Sequence, residues 1–261
     1  MGNRLTPVVQ NLLLLNLGIF ALSIFIKEPS LNLLFGLRYI ESVLFAPWQL
    51  LTYMFLHASL GHIFSNMLGL YFFGPWLEHV FGSRRFLVFY MVAGIGAGIL
   101  HEGVLYLEMQ QQKNAIEAYV QNPNPDAFVR YMHDYEPLLY RQKVDEINSF
   151  TEQFEAKESI EIIRANYETK INHEYNVTVG ASGAIFGILI AFAMIFPNVE
   201  MMLIFLPVPI RAKYFVLIYV FYELFAGLNY SGISNVAHFA HLGGALIGFL
   251  LVKFWGYQRQ H

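Results

Sequence analysis

Six stretches of the chain are apolar over close to the ~20 residues that cross the hydrocarbon core of a bilayer. They cover residues 9–27, 61–80, 85–104, 180–196, 213–229 and 237–255 and predict six transmembrane helices. The fourth is short and ends at Pro197, with an apolar loop beyond it. The first follows Arg4 and resembles a signal peptide, but no small-residue cleavage site follows it, so a retained helix is expected. Between the first two spans, Leu31 to Phe35 and Val43 to Trp48 are apolar yet too short to cross. They predict an in-plane element, with Trp48 and Tyr53 as interfacial anchors.

Residues 102–175 break the pattern and predict a helical insertion of about three segments. Asn122-Pro-Asn-Pro125 marks a turn within it. Val144, Ile147, Phe150 and Phe154 share a helical face whose expected role is ordinary packing. No internal repeat is evident.

Composition sharpens the class. The chain is 56% hydrophobic and 13% charged, against about 25% charged in soluble domains, which points to a polytopic membrane protein. Residues 102–175 hold 14 acidic and 7 basic side chains, so the rest of the chain is net basic. Arg4, Arg84, Arg85, Arg211, Lys213, Lys253 and Arg259 fall on one side of a six-span arrangement, with Lys27 and Arg38 opposite. The basic excess predicts cytoplasmic N- and C-termini and an external insertion. Cysteine is absent, which excludes disulfides, thiol nucleophiles and thiolate-bound metals.

Two segments carry candidate chemistry. In Gly180-Ala-Ser182-Gly183 a serine opens the fourth span, where free N–H groups and the positive helix end favour an oxyanion. Read alone, Ser182 is equally a small residue for close helix packing. His241, one turn into the sixth span, changes the balance. A histidine in an apolar span is expensive enough to suggest function, and a serine hydroxyl needs such a base. Gly183 with Gly187, and Gly244 with Gly248, are each four apart and permit close backbone approach of the two helices. His238 is the competing base, and its plain reading is a wet histidine at the helix mouth. A metal at His238 and His241 is disfavoured, because no His-Glu-x-x-His pattern or third ligand accompanies them.

His62 and Asn66 share a face of the second span and predict either oxyanion donors or interhelical hydrogen bonds. His57, on the outer loop, either supports that site or faces water. Glu223 in the fifth span is expected protonated or hydrogen-bonded between helices, with a third triad member as the weaker reading.

With these residues in place, the chain resembles the rhomboid family of intramembrane serine proteases. The likeness rests on His57-x4-His62-x3-Asn66, Gly180-Ala-Ser182-Gly183 and Ala240-His241-x2-Gly244-x3-Gly248, in that order over six spans. It covers residues 1–104 and 177–261 as a protease domain and leaves the acidic insertion, 105–176, unmatched. The resemblance implies an all-α six-helix bundle with Ser182 as nucleophile and His241 as general base, a dyad without a carboxylate. It also implies that His62, Asn66 and the Ser182 amide line the oxyanion hole. Gly180 would shape the pocket, and Phe186 would pack on the imidazole. Where the family has Trp-Arg in the first loop, this chain has Trp48-Gln49, so a loop-steadying salt bridge is in doubt.

The implied partners are membrane-anchored protein substrates and the bilayer, with no cofactor, no metal and no nucleic acid. The implied home is a bacterial inner membrane. One alternative is a non-catalytic rhomboid-like protein that binds client helices; another, a transporter, lacks an inverted repeat to support it.

Overall fold

The computed structural model describes residues 5–26, 28–172, 177–203, 206–229 and 238–257. The described residues form α1 (Pro7–Phe25), α2 (Leu31–Phe35), α3 (Gln49–Thr52), α4 (Leu60–Phe81), α5 (Ser83–Gln121), α6 (Pro125–Tyr135), α7 (Pro137–Gln142), α8 (Val144–Glu152), α9 (Ala156–Asn172), α10 (Ser182–Ile195), α11 (Ala212–Asn229) and α12 (His238–Phe254). A two-stranded antiparallel hairpin, β1 (Glu200–Leu203) and β2 (Leu206–Arg211), joins α10 to α11. The fold is all-α apart from that hairpin.

Each predicted span coincides with a helix: α1, α4, the first part of α5, α10, α11 and α12. By length and composition alone, α1 and α5 pass as membrane-crossing helices, while α10 and α12 are shorter apolar helices. α10 is the axis of the bundle. It packs most extensively on α12, then on α5 and α4, and every residue from Gly183 to Leu189 is buried. A helix apolar all round requires such burial. α1 and α11 lie outside and expose large apolar side chains, among them Leu14, Leu17, Phe25, Leu217, Ile218, Phe221 and Phe225. In water such surfaces would be a liability; they suit contact with lipid.

Where α1 begins, Pro7 fills the first turn and Glu78 of α4 caps the free amides, accepting from Val8 N (3.1 Å) and Val9 N (3.0 Å). These two bonds fix α1 to α4.

The third span departs from expectation. α5 does not stop near residue 104 but runs unbroken to Gln121, because no Gly or Pro interrupts Val104–Gln121. The anticipated turn follows, with Asn124 capping α6 by accepting from Ala127 N at 3.0 Å. The end of α5 and α6–α9 share a second core of Ile116, Tyr119, Phe128, Tyr131, Met132, Ile147 and Ile163, with Phe150 and Phe154 packed on it. The insertion thus holds four helices beyond α5, not three segments. Asn172 docks it on the first loop by accepting from Val43 N (3.1 Å) and Ser42 Oγ (3.2 Å).

The first loop contains a short helix at Leu31–Phe35, and Trp48 is exposed as an anchor should be. Tyr53 corrects the reading: it is buried, and its hydroxyl donates to Gly94 O at 2.7 Å inside the bundle. The phenol finds a carbonyl there, so the ring need not reach the interface. Gln49, in the place of the family's arginine, is also buried. It donates to Leu44 O (3.1 Å) and accepts from Ala46 N (3.1 Å), bracing the loop without a charge.

Candidate active site

α10 and α12 meet along their glycines. A Cβ at Gly244 would overlap the Gly183 backbone, and one at Gly248 would lie 2.6 Å from Gly187 Cα. Only bare backbone fits there, and the two helices close upon each other as the four-residue spacing predicts. Ser182 is the first residue of α10, and His241 lies in the first turn of α12. The seam brings Ser182 Oγ within 2.8 Å of His241 Nε2.

Phe186, one turn below the serine, stacks on the His241 ring with centroids 4.4 Å apart and planes 7° from parallel. Tyr219 of α11 also packs against Phe186, with centroids 4.7 Å apart. The imidazole therefore has little freedom to rotate away from the hydroxyl.

Gly180 shapes the approach to Ser182. Its φ of +132° lies where L side chains are rarely found, and its N–H donates to Tyr53 O at 2.9 Å. A Cβ there would stand 2.6 Å from the His62 ring. A methyl group in that place would also lie 3.6 Å from Ser182 Oγ, so glycine, His62 and the serine share one corner. The preceding Thr178 pairs with Leu37 through both backbone groups (2.8 and 2.9 Å), which ties this turn to the first loop.

Asn66, one turn below His62 on α4, is buried, and its Nδ2 has no partner among the described residues. A buried donor left unmade is costly, and here it borders the cavity that Ser182 and His241 line. His57 is buried behind His62 in an edge-to-face contact at 5.1 Å. Burial, then the neighbouring His62, pushes its pKa down to about 4, so it is neutral at ordinary pH. It does not face water.

His238 is corrected too. It is buried rather than wet, and its Nδ1 donates to Glu223 Oε2 of α11 at 2.6 Å. The same carboxylate oxygen lies 3.1 Å from His241 Nδ1. Sequence reading placed Glu223 between helices but did not identify these partners. His101 was missed entirely: it borders the same cavity and contacts Thr178 Oγ1 at 3.1 Å. Its position on the third span, away from any motif, offered no signal. Among the described residues, no three His, Asp or Glu side chains cluster as metal ligands.

The cavity is about 2010 Å³. Its lining includes Phe72 and Trp76 of α4 and Phe215 and Tyr219 of α11, and also Glu108 and Gln112 of α5 and Lys170 of α9.

Comparison with known proteins bears on the family of the chain. The Rhomboid domain model matches residues 45–109 and 160–258. An uncharacterized, mitochondrial rhomboid protein of Schizosaccharomyces pombe is 25% identical over 80% of this chain and 51% of its own length. RHOMBOID-like protein 2 of Arabidopsis thaliana is 45% identical over 20% of the chain and 17% of its own. Rhomboid protease GluP of Bacillus subtilis is 42% identical over 20% of the chain and 10% of its own. The matches thus span about half or less of these relatives. The family model covers most of the chain, and the chain belongs to the rhomboid family of membrane proteins.

Proposed function

We propose that this chain is an intramembrane serine endopeptidase that cuts membrane-anchored proteins near the outer face. The observation that carries the proposal is the 2.8 Å approach of Ser182 Oγ to His241 Nε2 in a cavity inside an apolar bundle. His241 takes the hydroxyl proton as Ser182 attacks the peptide carbonyl, then returns it to the leaving amine. The developing oxyanion is held by the Ser182 amide, Asn66 Nδ2 and the His62 ring. Water in the cavity that Ser182 and His241 line then hydrolyses the acyl-enzyme, and Ser182 is regenerated.

In this reading six helices span the bilayer, with both termini inside and the insertion outside, as the lysine and arginine placement favours. Residues 1–104 and 177–261 form the protease, and 105–176 an elaboration over its entrance. The relatives include a protein of Bacillus subtilis and a mitochondrial one of Arabidopsis thaliana; the home proposed for this chain is a bacterial inner membrane.

A serine-directed fluorophosphonate probe tests the proposal on the purified full chain. It is expected to label wild type and to leave Ser182→Ala unlabelled. Wild type that stays unlabelled, with its fold intact, would favour a non-catalytic client-binding role instead.

A further inference from the structure

Glu223 sits on α11, which exposes many large apolar side chains, yet the residue itself is only 2% exposed. A carboxylate at membrane depth is expensive unless it meets partners that need it. Here it faces two imidazoles of α12, three residues apart. Oε2 accepts from His238 Nδ1 at 2.6 Å and stands 3.1 Å from His241 Nδ1. The second contact is at ion-pair distance without full hydrogen-bond alignment, and no other described group bonds to His241 Nδ1.

The tautomer of His241 decides its chemistry. A neutral imidazole has one N–H and one bare nitrogen. For Nε2 to accept the Ser182 proton, the N–H must reside on Nδ1, which is the nitrogen facing Glu223. A buried N–H without an acceptor is disfavoured, so the carboxylate favours the tautomer in which Nε2 is basic. When Nε2 gains the proton, the same charge lies beside the new imidazolium. We infer that Glu223 is a positioning residue: it holds His241 as the Nδ1–H tautomer and stabilises the imidazolium formed during attack. His238 anchors it for this task by holding the carboxylate oxygen in place. The site is then a carboxylate–histidine–serine relay rather than a bare dyad.

This inference rests on Ser182 and His241 being nucleophile and base, and its test separates the two claims. Wild type, Ser182→Ala and Glu223→Gln are compared in detergent for fluorophosphonate labelling rate, melting temperature, and kcat and KM on a single-span reporter. Glutamine keeps the shape, but its amide N–H can donate to Nδ1 and select the wrong tautomer. The expected result is a kcat lowered by roughly 10²- to 10⁴-fold, the upper figure being the loss on turning a triad aspartate into an amide. KM is expected to stay within about twofold, since the carboxylate does not touch substrate. In wild type alone, imidazole ¹⁵N NMR with ¹⁵N-histidine, assigned by the signal lost in His241→Ala, is expected to report protonated Nδ1 and bare Nε2. That measurement decides even if Glu223→Gln fails to fold. A Glu223→Gln protein with wild-type kcat, or an Nε2–H signal from His241, overturns the inference while leaving the protease reading intact. Loss of Ser182-dependent labelling in wild type overturns both.

Discussion

Gly244→Ala tests how far the chemistry depends on helix contact. A Cβ there would stand 2.6 Å from the carbonyl carbon of Gly183 and 3.0 Å from its Cα, and would overlap the carbonyl oxygen. These are backbone atoms, so no rotamer change relieves them; the helices must part. Restoring ordinary contact to the carbonyl carbon alone needs about 0.8 Å of separation, and the overlapped oxygen needs more; such overpacking costs about 1–3 kcal/mol. Ser182 immediately precedes Gly183, and His241 is one turn from Gly244, so the reacting pair inherits most of that shift. Its 2.8 Å approach would open to at least about 3.6 Å, beyond the ~3.2 Å reach of a general base. Displacements of this order cost about 10²-fold in rate. Fluorophosphonate labelling is therefore expected to slow by about that factor, with a lowered melting temperature. Gly18→Ala is the control, because a Cβ on that exposed glycine of α1 meets nothing within 4 Å. Gly244→Ala labelled and melting like wild type would refute the claim that the seam sets the dyad distance.

Asn66→Ala is expected to lower kcat by roughly 10²–10³-fold with KM little changed, as when one oxyanion donor is removed; steady-state kinetics on the reporter checks it. Gly180→Ala forces a Cβ into a left-handed backbone, 2.6 Å from the His62 ring, and is expected to abolish labelling while α4 and α10 remain folded by circular dichroism. His57, held near a pKa of about 4, binds fewer protons folded than unfolded between pH 6.5 and 4, so stability falls as the pH drops through that window. The loss at pH 5 relative to neutral pH is about 2 kcal/mol, and denaturation of His57→Gln at both pH values is expected to show a shallower dependence.

The apolar helices and the meeting of Ser182 with His241 were legible because their signals are local. Apolar length marks a helix without help from the rest of the fold, and a serine at a helix start and a histidine in an apolar run are each anomalous where they stand. The glycine spacing then supplied the missing distance, since it says which faces meet. What escaped reading is what depends on partners far along the chain. Tyr53 reads as an interfacial anchor until Gly94 O is seen to meet its hydroxyl. His238 reads as wet until Glu223, fifteen residues earlier on another helix, is placed beside it. The continuation of the third helix beyond residue 104 was missed for a different reason. Hydropathy falls near residue 104 but helix propensity does not, so the helix leaves the apolar layer and continues into the insertion.

The burial of α10 poses a problem that the rest of the molecule answers. A nucleophile at the head of a helix packed on every side is inaccessible unless a neighbour stands away from it. Among the described residues, α4 and α11 make no substantial contact with each other, although both border α10. The cavity is lined from both helices, by Phe72 and Trp76 of α4 and by Phe215 and Tyr219 of α11. It is lined as well by Glu108 and Gln112 of α5, by Lys170 of α9, and by Ser182 and His241 themselves. Under the proposed function, an apolar helix suits the first set of side chains, and an unwound, solvated stretch of chain suits the polar ones, since free backbone groups require polar surroundings. A membrane-anchored protein that reached both would offer Ser182 a peptide bond near the end of its helix, where the carbonyl has lost its internal hydrogen bond and is open to attack.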